Sequence, residues 1–147
     1  MEKLKSLGVL LTNFIICIAA GHGFGPIVLI ELLSIYTLIF EGEIAYNSGD
    51  FSNFSFSNSY EDMIMYFLVF SFFGQFFFLI SLFKFSIPKI KRIFRILGII
   101  LMTFGFYLIS KNMFNDDLAV FTFVTGIPFL YFFILELVSL LSPKFQQ

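Results

Sequence analysis

Three ionisable side chains, His22, Glu31 and Glu136, stand in stretches that are otherwise apolar, and Gln75 adds a neutral polar group in another. Ionisable groups at membrane depth are expensive to hold, so each calls for a reason. His22 titrates near neutral pH and Glu31 can take up a proton, which is the chemistry of a proton relay or a cation path. Glu31 follows His22 by nine residues, so one helix face cannot unite them. Only a chain that folds back between them can. Gly21, Gly23, Gly25 and Pro26 supply such a break, because glycine tolerates turns and proline lacks the N–H that a helix interior needs. A broken helix also exposes backbone groups and a helix N-terminus that bind ions. The hydroxyls of Thr12, Thr103, Thr122 and Thr125 add further neutral polarity. A plainer reading exists for each group. His22 sits at the outer interface against loop backbone, Glu31 faces the outer water layer, and Glu136 pairs near the cytoplasmic face, where acids cost little.

Other chemistries are poorly served. A single cysteine, Cys17, excludes an intrachain disulfide, and one histidine cannot make a typical zinc site. Cys17 precedes His22 by five residues, but a cysteine in an apolar run reads as a small packing residue. The Gly-x-Gly-x-Gly-Pro run lacks a preceding strand pattern and a following Lys-Ser/Thr, so it matches neither nucleotide fingerprint. No catalytic constellation, cofactor or metal is expected, and a net charge of −1 gives no reason to expect nucleic acid.

The elements that hold these residues are membrane helices. The 147 residues are 59% hydrophobic and 13% charged, more apolar surface than a small soluble fold can hide. We expect one all-α membrane domain, a bundle of four spans near residues 6–24, 63–84, 90–110 and 118–141. Residues 27–40 form an added re-entrant or interfacial half-helix behind the Gly/Pro break; at about 1.5 Å per residue they reach about 21 Å, short of a bilayer core of about 30 Å. Lys3, Lys5 and the apolar run after them also fit a secretory leader, but Ser6 to Phe24 is long enough to span and is read as retained. Residues 41–62 form an acidic extracytoplasmic loop in which Asn53-Phe54-Ser55 matches a glycosylation sequon by chance. Ser59 and Asp62 form a capping pair ahead of the uncharged run Met63 to Phe83. Pro88 starts the next helix, and Gly98 and Gly105, seven apart, leave one of its faces open to a close neighbour. Pro128 lies within the last span and Ser142-Pro143 ends it.

Charge sets the orientation. With four spans, Lys3, Lys5, Lys84, Lys89, Lys91, Arg92, Arg95 and Lys144, eight of the nine basic residues, fall on one side. That side is cytoplasmic, so both termini face the cytoplasm of a bacterial inner membrane. A fifth full crossing through residues 27–40 moves Lys3 and Lys5 outside and leaves six basic residues inside. The cluster from Lys84 to Arg95 fixes topology and touches anionic lipid as a by-product, with Arg95 snorkelling from the boundary. Small size and sparse chemistry give a small interaction protein: an accessory subunit, assembly factor or immunity-type partner of another membrane protein. The alternative is a homo-oligomeric ion or proton channel, or a small-solute carrier, that uses Gly21–Pro26 and Glu31.

Overall fold

The computed structural model describes residues 2–20, 23–40, 59–83 and 88–141. In chain order these form α1 (Glu2–Phe14), β1 (Cys17–Ala20), β2 (Gly23–Pro26), α2 (Ile27–Phe40), α3 (Tyr60–Leu82), α4 (Pro88–Ser110) and α5 (Asp117–Leu141). His22, Gly21, Lys84, most of the acidic loop with its sequon, and the Ser142-Pro143 stop lie outside the described residues. Three helices, α3, α4 and α5, are long and apolar enough to cross a membrane, at 23, 23 and 25 residues. Their ends fall within three residues of those expected from hydropathy. The expected capping pair is present: the Asp62 N–H donates to the Ser59 hydroxyl, and the Asp62 carboxylate accepts from the Ser59 N–H at 3.2 Å. Pro88 is the first residue of α4.

The first apolar run departs from expectation. A continuous helix over residues 6–24 is not formed. α1 stops at Phe14, and residues 17–20 and 23–26 pair as an antiparallel hairpin, Cys17 with Pro26, Ile18 with Gly25, Ala19 with Phe24 and Ala20 with Gly23. The local reason is a run of β-branched residues, Ile15, Ile16 and Ile18, followed by glycines that favour a reversal over a helix. A strand therefore does precede the glycines, although no Lys-Ser/Thr follows them. At 13 residues, α1 reaches about 20 Å at about 1.5 Å per residue and does not cross a bilayer core alone. α2 begins where the hairpin closes, the Ile27 N–H donating to the Ile16 carbonyl at 2.8 Å. Ile16, Ile18 and Ile27 are fully buried, so the hairpin is part of the core.

α3 and α4 form the tightest pair. A methyl group added at Gly98 would lie 2.7 Å from both the Gly74 carbonyl oxygen and the Phe78 backbone nitrogen. One added at Gly74 would lie 2.8 Å from the Met102 backbone nitrogen. The backbones touch at this crossing, where dispersion contact takes over from the hydrophobic effect that is missing between apolar surfaces. Gly105 faces α3 as well, beside Phe67 and Phe70. α5 docks through Gly126 beneath the Phe106 ring, and α1 seats Gly8 beneath Phe132 of α5.

Replacing Gly98 by valine therefore drives carbon into backbone that cannot yield. We expect a loss of about 1–3 kcal/mol, measured by reversible denaturation in mixed micelles. Gly25→Ala, where the added methyl meets nothing within 4 Å, should remain within error of the parent.

Candidate functional site

Strand backbone presents N–H groups that an apolar surround leaves unpaired, so irregular backbone is tolerated there only when protein satisfies it. Successive residues of an antiparallel strand alternate between ladder and outer edge. The Ile16–Ile27 bond thus turns the N–H groups of Cys17 and Ala19 to the outer edge of β1. Cys17 donates to the Thr125 hydroxyl at 3.1 Å, and Ala19 donates to the Tyr60 hydroxyl at 3.1 Å. The Tyr60 hydroxyl also shares a 2.7 Å hydrogen bond with Thr122 Oγ1. Pro26 stands opposite Cys17 in a position that forms no ladder bond, so its missing N–H costs nothing. Two threonines first noted only as neutral polarity are here the anchors of the hairpin on α5.

A second polar cluster joins three helices. Glu136 of α5 is fully buried and forms an ion pair with Arg95 of α4, itself 5% exposed. The Ser6 hydroxyl of α1 accepts from the Arg95 guanidinium and donates to Glu136 Oε1 at 3.2 Å. This corrects the expectation for Arg95, which is not a lipid-facing member of the basic cluster. Its partners hold it inside, because a guanidinium with a carboxylate and a hydroxyl close by costs less buried than either charge alone. Of the other basic residues expected there, Lys89 is exposed, Lys91 is half-buried, and Arg92 donates to the Leu140 carbonyl at 3.4 Å. The cluster places the start of α1, the start of α4 and the end of α5 at one end of the helical body. Glu136 is thereby explained, and it takes no part with Glu31.

The third cluster is different, because it is incomplete. Glu31 of α2 is 7% exposed, and its Oε1 has no hydrogen-bond partner among the described residues. The Gln75 amide lies beside its carboxyl, and Gln75 Nε2 donates to Asn13 Oδ1 at 2.8 Å. Asn13 Nδ2 and Ser34 Oγ are also buried without partners. Glu31 forms no ion pair among the described residues. Two cavities, each a cleft partly open at the surface, meet at it. One, of 230 Å³, lies between α1, α2 and α3 and is lined by Phe14, Val28, Gln75, Phe76 and their neighbours. The other, of 180 Å³, is lined by Ser34, Met65, Leu68 and Phe73 among others. Glu31, Ile35 and Phe72 border both.

The structure thus brings Glu31 and Gln75 together, as candidate polar residues of one site, and sets Glu136 apart. Ser6 and Asn13 lie seven residues apart on α1, about 10 Å at about 1.5 Å per residue, so the two clusters occupy different depths. Gly23, Gly25 and Pro26 lie in β2, opposite Ala20, Ile18 and Cys17 of β1. Sequence reasoning missed Asn13, Ser34, Ser6 and the Arg95 pairing. A signal for part of this was available: Ser6 and Asn13 recur at two helical turns, with Val9 and Leu10 between them on the buried side. Arg95 and Glu136 also sit at similar distances from the ends of antiparallel α4 and α5. Seven and five residues correspond to about 10 and about 8 Å at about 1.5 Å per residue.

Breaking the ion pair from one side strands a buried charge. Arg95→Met or Glu136→Met alone should cost about 3–5 kcal/mol, and the double substitution should cost clearly less than the two single losses combined. A double-mutant cycle on unfolding in mixed micelles measures this, and full additivity would show the pair to be uncoupled. Comparison of the chain with known protein families, curated proteins and solved structures finds no match, so its functional reading rests on this geometry.

Proposed function

We propose that this is a small membrane protein that binds a cation or a proton at Glu31, as a homo-oligomeric channel or a small carrier. The observation that carries the reading is the burial of Glu31 with an unpartnered oxygen at the junction of two cavities. A carboxyl in such a place either keeps its proton or pairs with a cation. A Glu31 facing the outer water layer would need neither; its low exposure of 7% supports the cation or proton reading. The segment around it is also of the kind that transport sites use: non-helical backbone followed by a half-helix, both held inside protein.

The fourth crossing expected from sequence is, in this proposal, made by α1 and β1 together. About 20 Å of helix followed by about 14 Å of strand, at about 1.5 and about 3.4 Å per residue, suffices for a bilayer core of about 30 Å. β2 then re-enters and α2 climbs back out. The order of residues around the two cavities, early α2 with late α3 and later α2 with earlier α3, makes α2 and α3 antiparallel, as this path requires. Both termini lie with the basic residues on the cytoplasmic side of a bacterial inner membrane, which the shared level of Ser6, Arg95 and Glu136 supports.

A second reading, that of an accessory, assembly or immunity-type subunit, is favoured by one feature. α2 turns Leu29, Leu33, Tyr36, Ile39 and Phe40 outward, each more than half exposed, and packs sparsely on its own chain. Lipid or another membrane protein covers them.

In proteoliposomes, Glu31→Gln should abolish proton or monovalent-cation flux while expression and oligomeric state stay unchanged. The absence of flux from the parent across protons, sodium, potassium and organic ammonium ions, together with a stoichiometric second protein on purification in mild detergent, would replace the first reading with the second. Reporter fusions at both termini should give cytoplasmic signals; an external N-terminus would overturn the orientation.

A further inference from the structure

The shape and lining of the two cavities narrow the ligand. We propose that the Glu31 site takes an organic ammonium ion carrying two apolar arms, with the cationic nitrogen at Glu31 and one arm in each cavity. This rests on the cation-binding reading above and names its ligand class.

The site offers a bare metal ion little. Glu31 is its one carboxylate, Asn13 Oδ1 is already occupied by the Gln75 amide, and Ser34 Oγ adds one neutral oxygen. No group of three or more His, Cys, Asp or Glu side chains among the described residues converges to hold a metal. An inorganic ion stripped of water needs several oxygens around it, and here most of its shell would be hydrocarbon. An organic ammonium needs far less. Its charge is satisfied by one carboxylate, and its substituents want the apolar walls that a metal ion cannot use.

The dimensions agree. A dry cavity of about 150 Å³ accepts a benzene ring. The two spaces, at 230 and 180 Å³, are clefts partly open at the surface rather than closed cavities, and each has room for a group of that size. They are not independent sites, because Glu31, Ile35 and Phe72 border both and so mark the point where a branched ligand would place its centre. The walls are aromatic on either side of that point: Phe14 and Phe76 line one cavity, Phe73 lines the other, and Phe72 lies between them. Aromatic side chains gathered around a single carboxylate recognise alkylated ammonium by combining cation–π attraction with ion pairing. The amide of Gln75 beside Glu31 supplies a polar neighbour without a competing charge.

The test is equilibrium binding of dibenzyldimethylammonium to the intact protein in lipid nanodiscs by calorimetry. Its neutral isostere with a quaternary carbon in place of nitrogen, tetramethylammonium and sodium are measured in parallel. The dibenzyl ammonium should bind at least about tenfold more tightly than its neutral isostere, a difference of about 1.4 kcal/mol. Glu31→Gln should remove that preference. Phe72→Trp, which keeps the carboxylate and fills space where the cavities meet, should weaken the dibenzyl ion about tenfold more than tetramethylammonium. That second variant answers the objection that loss of Glu31 merely disturbs the fold. Glu31-dependent binding of sodium, or Glu31-dependent proton flux, with no affinity for either ammonium would overturn this ligand class and leave the cation-site reading standing. No Glu31-dependent binding or flux of any kind would overturn both.

Discussion

The arrangement depends on one constraint: backbone polar groups withdrawn from water must find partners within the protein. Helices α3, α4 and α5 meet it internally. The hairpin does not, because a two-stranded ladder always leaves two edges. One edge is sealed by hydroxyls, Thr125 taking the Cys17 N–H and Tyr60 taking the Ala19 N–H. The other is blunted by Pro26, which has no N–H to satisfy. Because Tyr60 opens α3 and Thr122 and Thr125 belong to α5, the hairpin binds those two helices together as it is itself secured.

The consequence is a short segment that can reverse inside the fold. A continuous first helix would have carried residues 27–40 straight to the far side, away from α1. Reversal instead starts α2 beside Ile16, and that start brings Glu31 between α1 and α3. The buried carboxyl is therefore a product of the hairpin. The same chain solves its other buried acid differently. Glu136 has Arg95 and Ser6 and is closed, whereas Glu31 has an amide neighbour and open space. The two buried acids thus differ in their surroundings: Glu136 is a joint between helices, whereas one Glu31 carboxylate oxygen has no hydrogen-bond partner among the described residues. The contrast shows why burial of a charged residue alone does not define a function.

Close packing keeps these clusters in register. The glycine contact between α3 and α4 leaves no slack for one helix to slide on the other, since backbone meets backbone at Gly74 and Gly98. Gln75 follows Gly74 directly, so the crossing that holds α3 on α4 also sets the level at which Gln75 meets Asn13 and Glu31. Arg95 precedes Gly98 by three residues, nearly one turn, and is positioned by the same crossing.

Local sequence by itself determined the features that depend on runs and caps. The three long apolar helices, the Ser59–Asp62 cap, the start at Pro88, the glycine face of α4 and the break before residue 27 are all legible, because each is decided by neighbours within a turn or two. Glu31 and Gln75 could be named from their apolar surroundings, since a polar residue there stands out. Tertiary structure alone decided that the break is a β-hairpin rather than a kink, that Arg95 turns inward, and that Glu31 meets Gln75 while Glu136 does not. The partners that settle these points lie far away in sequence, at separations of 41 for Arg95 and Glu136, 62 for Asn13 and Gln75, and 130 for Ser6 and Glu136. Hydropathy reports how deep a residue can go, but which neighbour it meets is set by helix order and crossing, and these arise only when the whole chain is packed.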